Sequence, residues 1–133
     1  MILVVRSGPD GHEAPMHYLI AAVIGLVGGV TSGLFGVGGG VVMVPAMFYL
    51  LKVDLKTAIG TSLVVIIPTA ITGALKHRHL DQIDWRVALS LMPLAVAGGF
   101  LGAYLTGQLP AATLQKMFGG LLICAGSYMA FFK

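Results

Sequence analysis

"GLFGVGGGVVMVP", Gly33 to Pro45, places five glycines in the most apolar part of the chain, with a proline five residues after the last. Glycine weakens a helix interior by roughly 1 kcal/mol relative to alanine. In a bilayer, irregular backbone is tolerated only where protein buries it or a wet cavity faces it. The surrounding residues explain why a break is needed. From Ala14 to Leu51 there is no Asp, Glu, Lys or Arg. A single helix of about 35 residues would reach roughly 52 Å, against a hydrocarbon core of about 30 Å. Tilt does not absorb that excess. The glycines divide the stretch into arms from His17 to Thr31 and from Val41 to Lys52. These arms would be roughly 22 and 18 Å long. They meet either as a re-entrant hairpin or as a strongly tilted broken helix.

Composition fixes the class. Of 133 residues, 57% are hydrophobic and 10% charged, with a mean hydropathy of +0.94. Soluble domains carry about 25% charged residues. The chain therefore reads as an all-α integral membrane protein of about four hydrophobic segments. After a polar leader over 1–16, a single transmembrane domain over 17–133 divides into the broken pair at 17–52 and helices at 57–76, 87–107 and 111–132. "MILVVRSGPDGHEAPMH" lacks the basic start and long apolar run of a signal peptide.

The net charge of +3 lies mostly in short connections, which is topology control and leaves nucleic acid out as a partner. With a hairpin, Arg6, Lys52, Lys56 and Lys116 fall on one side and Lys76, Arg78, Arg86 and Lys133 on the other. That balance permits insertion in both orientations, or an orientation set by flanking sequence or a partner. Gly25, Gly29 and Gly33 form a four-residue ladder, as do Ala95, Gly99, Ala103 and Gly107. Small residues at that spacing let helices approach closely in lipid. Cys124, alone, is a packing residue.

No Asp or Glu lies within a hydrophobic segment, and Lys52, Lys76 and Lys116 fall only near segment ends, which disfavours cation export through an embedded carboxylate. An anion crossing here must be met by backbone dipoles and hydroxyls. "GVTSGLFGVGGG" supplies both. Its glycines turn N–H groups inward together, the helix beginning near Val41 has a positive dipole end, and Thr31 and Ser32 add hydroxyls. In "AIGTSL", Gly60, Thr61 and Ser62 open a polar seam that continues through Pro68, Thr69 and Thr72. These hydroxyls either line a pathway or bond their own i−4 carbonyls. "KHRHLDQIDWR" is a solvated interfacial loop with Trp85 in the aromatic belt. His77, His79, Asp81 and Asp84 lack the spacing of a convincing metal site. No nucleophile–base pair stands out, so the chain reads as a non-enzyme without metal or cofactor.

The glycine loop followed by "AIGTSL" about 20 residues later resembles the TauE/SafE, or sulfite exporter, family of bacterial cytoplasmic membrane proteins. Gly36, Gly38, Gly39 and Gly40 match its glycine loop, and Gly60, Thr61 and Ser62 its second motif. The resemblance implies export of small sulfur-containing anions such as sulfite or organosulfonates. Typical members have two related halves, so this chain is similar to a single half of an inverted-repeat transporter. The implied assembly is a dimer, antiparallel if the halves are inverted and both are copies of this chain. A separately encoded half is the other arrangement. The alternative from a different class is a non-transporting subunit that scaffolds or regulates a partner.

Overall fold

The computed structural model describes residues 14–132. They form five helices: α1 (Ala14–Phe35), α2 (Gly40–Leu50), α3 (Leu55–His79), α4 (Trp85–Gln108) and α5 (Ala111–Phe131). No strand occurs among the described residues, in keeping with the all-α reading. Of the leader expected over 1–16, residues 1–13 lie outside the described residues, and Ala14 to Met16 already belong to α1. By length and composition α1, α3 and α4 can each cross a membrane.

The break falls later than the spacing of glycines suggests. Gly25, Gly28, Gly29 and Gly33 all remain inside α1, whose 22 residues span about 33 Å. Glycine ends the helix only where the chain turns to positive φ, first at Gly36 (67°), then at Gly38 (75°) and Gly39 (71°). The Gly36 N–H donates to the Ser32 carbonyl at 2.9 Å, the left-handed termination that glycine favours. The first arm thus matches a bilayer core unaided. The second, α2, has 11 residues and spans about 16 Å, half a crossing.

α2 folds back along α1 instead of continuing its axis. Met43, 2% exposed, packs where a side chain at Gly28 would have to go, and a Cβ on Gly39 would strike the Gly28 carbonyl oxygen. The two arms therefore pack as a hairpin, but α1 is itself of span length and not the shorter arm expected from His17 to Thr31. α3 covers its tip. Ile66 lies 3.3 Å from the Cβ positions of Gly38 and Gly40, and Ser62 Oγ 3.7 Å from that of Gly40. Ile24, Met43, Val44, Met47, Leu55, Ala58 and Leu114 form the buried cluster behind them.

Caps set the helix starts. The Asp54 carboxylate accepts from Lys56 N–H at 3.2 Å, and Asp84 accepts from Arg86 and Val87 N–H at 3.0 and 3.2 Å. Asp84 is therefore the reason α4 begins at Trp85, two residues before the uncharged run. α3 likewise runs past Lys76, because Lys76, His77, Arg78 and His79 complement the negative end of its dipole. The connecting loop shrinks to 80–84. α4 buries no residue. A recess of about 470 Å³ lies between it and α3, lined by Lys56, Gly60, Leu63, Gly99, Gly102 and Thr106 among others.

Candidate functional site

The hairpin tip, the C-terminal half of α3 and the α3–α4 loop border a half-open cavity of about 330 Å³. Ser32, Gly33, Gly36 and Gly38 line it from the tip, Thr69, Gly73 and His77 from α3, and Gln82 from the loop. The two sides meet because α3 packs on Gly38 through Ile66. Thr69, Gly73 and His77 are spaced by four residues and so share one face of α3.

Polar geometry is concentrated at the cavity's loop end. His77 Nε2 lies 3.1 Å from the Gly33 carbonyl oxygen and Nδ1 lies 2.7 Å from Gln82 Oε1. The Gly33 carbonyl is in the last turn of α1, where helix carbonyls lack intrahelical partners. Thr69 Oγ1 donates back to Val65 and Ile66 carbonyls at 3.1 and 3.0 Å, leaving its lone pairs available. Gly73 has nothing within 4 Å of the position a Cβ would take, so it keeps the floor of the cavity open.

The nine residues singled out from sequence are not gathered in one place. Ser32, Gly36 and Gly38 reach this cavity. Thr31 and Gly39 line a separate apolar recess of about 200 Å³ with Phe35, Val37, Val41 and Val42. Gly40 is covered by Ile66 and Ser62. Gly60 lines the recess facing α4. The hydroxyls largely follow the back-bonding arrangement: Thr31 donates to Val27 and Gly28 carbonyls at 2.9 Å, Thr61 to Thr57 at 2.7 Å and Ser62 to Ile59 at 2.8 Å. Ser62 is 3% exposed and Thr61 is exposed. Within this chain the two motifs therefore touch through packing, Ser62 against Gly40.

Sequence reasoning placed Thr69 on the seam but missed Gly73, His77 and Gln82. The four-residue ladder from Thr69 to His77 was the available signal. It was hidden because His77 sits among charges that read as a loop.

A short helix that folds back after positive-φ glycines, packed among span-length helices, defines a polytopic helical membrane protein. The chain belongs to the sulfite exporter TauE/SafE family, whose profile matches residues 2–133. It is 33% identical over 132 residues to the probable membrane transporter protein YunE of Bacillus subtilis, covering 96% of this chain and 48% of that protein. A probable membrane transporter protein of Haemophilus influenzae is 32% identical over 118 residues, covering 84% and 45%. One from Methanocaldococcus jannaschii, MJ0441, is 27% identical over 114 residues, covering 81% and 43%. The chain spans about half the length of these curated relatives. No solved structure gives a significant match.

Proposed function

We propose that this chain is half of a membrane transporter that exports small sulfur-containing anions, sulfite or organosulfonates, across a bacterial cytoplasmic membrane. The observation that carries the reading is the cavity at the hairpin tip, which joins Ser32, Gly36 and Gly38 to Thr69 and His77. It is bounded by polar groups suited to an oxyanion and sits where a broken helix exposes its backbone. The family description supports sulfite as the substrate class.

The transporting unit is a dimer of halves, the second being another copy of this chain. Support comes from α4, none of whose residues is buried, beside the recess at Gly60 and Gly99. In the dimer the remaining predicted residues, Gly60 and Thr61 above all, face the other half. Thr31, Gly39, Gly40 and Ser62 shape the hairpin that presents the anion-binding backbone.

The test is flux from liposomes containing this chain alone, loaded with sulfite or methanesulfonate. Flux above protein-free liposomes is expected. Silence with both anions, together with a co-purifying second half, would favour the scaffold or regulatory subunit.

A further inference from the structure

The cavity contains one side chain that can carry a positive charge, His77. Its two ring nitrogens both face carbonyl oxygens, Gly33 O at 3.1 Å and Gln82 Oε1 at 2.7 Å. A neutral imidazole has one N–H and one lone pair, so it can donate to only one of them. With the Gln82 amide oxygen turned toward the ring, only the imidazolium donates to both. Gly33 belongs to the last turn of α1 and His77 to the last turn of α3, and a cation is favoured at both places. The cavity thus offers a protonated ring two acceptors and offers an anion a nearby counter-charge.

We infer that His77 is the proton-loaded cation of this site and that one proton moves with each anion. The inference rests on the transporter reading above. The ring takes a proton from bulk water on the loading side, and the anion settles against the resulting charge. On the other side the proton leaves a ring nitrogen for bulk water, one of the two hydrogen bonds is lost, and the anion loses its counter-charge. No bond within the anion changes, so one proton and one anion are moved in balance.

The groups around the ring are few. From α1 the neighbour is the Gly33 carbonyl, and residues 31–35 contain nothing that titrates. From the loop it is Gln82, preceded by Asp81 and followed two residues on by Asp84, which already holds the start of α4. On α3 the adjacent residues are Lys76, Arg78 and His79. His79 lies two residues away, where a helix turns side chains apart, and it does not line the cavity.

The experiment compares wild type with H77Q in liposomes containing the full chain, using sulfite and methanesulfonate. Comparing the two proteins at the same pH removes the effect of sulfite's own titration. The wild-type-to-H77Q flux ratio should be roughly tenfold larger at about pH 5.5 than at about pH 8, bracketing the imidazole range. With methanesulfonate, which stays ionised throughout this range, wild-type flux should acidify the receiving side, and H77Q flux should not. Q82L, which removes one acceptor and leaves the ring intact, should move the acid advantage to lower pH. A deficit in H77Q that is the same at both pH values, normal H77Q flux at acid pH, wild-type flux without proton movement, or an unmoved Q82L profile would each overturn the inference and leave anion transport standing. Wild-type silence toward both anions at every pH would overturn the transporter reading, and the inference with it.

Discussion

Gly39, at φ 71°, lies directly against the carbonyl oxygen of Gly28, leaving no room for a Cβ between the tip of the hairpin and α1. The contact locks α2 onto α1. It also separates two demands on glycine that look alike in the sequence: left-handed backbone and close approach. Gly39 meets both, whereas Gly36 meets only the first, with nothing within 4 Å of its Cβ position.

Gly39→Ala should therefore be far more damaging than Gly36→Ala. Left-handed strain alone costs about 1–2 kcal/mol, which is the expectation for Gly36→Ala. Gly39→Ala adds a backbone clash and should lose about 3 kcal/mol or more. Unfolding midpoints in detergent check this. Equal losses would show that the Gly28 carbonyl does not constrain the tip. The same clash makes Gly39→Val a poor probe of transport, since lost flux would report lost folding.

Gly28 and Met43 should be energetically coupled. Gly28→Ala drives a methyl into buried Met43, an overpacking of about 1–3 kcal/mol. Met43→Ala empties the same space at about 2–5 kcal/mol. In the double variant each change relieves the other, so its loss should fall short of the sum by about 0.5–3 kcal/mol. A denaturant-unfolding cycle measures that difference, and strict additivity would contradict the contact.

Gly73 offers a direct test of the cavity. Its Cβ position is open, so Gly73→Ala should leave the helix intact, or firmer by about 0.5–1 kcal/mol, with flux retained. Gly73→Leu fills the cavity from the α3 side without disturbing a packed neighbour. Sulfite flux should fall at least about tenfold, or 1.4 kcal/mol in barrier, while the unfolding midpoint holds. Undiminished flux in a well-folded Gly73→Leu protein would remove this cavity from the pathway.

Gly99 tests the proposed second half. It lies on uncovered α4 beside the recess facing Gly60, with no atom within 4 Å of its Cβ position. Gly99→Leu should leave the unfolding of the single chain unchanged. It should weaken self-association in vesicles at least about tenfold by blocking close helix approach. Energy transfer between labelled copies, diluted in lipid, measures it. Unaltered transfer would place the partner elsewhere.

Much of the hairpin was legible because length is a hard constraint. The uncharged run from Ala14 to Leu51 exceeds a bilayer's thickness, and only its glycines could divide it. Its start and end were less legible, since Gly29 and Gly33 look like breakers yet stay helical. The polar segment was misplaced for a related reason. Lys76 to His79 read as a loop by charge, although cations at a helix C-terminus favour continuing the helix.

The sequence by itself determined a helical membrane protein, a break at the glycine cluster and the family, because composition and spacing act along the chain. Only the tertiary structure decided which glycines are breaks and which are contacts, because φ and the approach of Gly28 to Gly39 depend on how α2 returns. It also decided that Ser62 packs on Gly40 while Ser32 meets His77 across a cavity. The last turn of α3 lies more than forty residues from the end of α1 in the chain. Only folding brings the Gly33 carbonyl and the His77 ring within a hydrogen bond of each other.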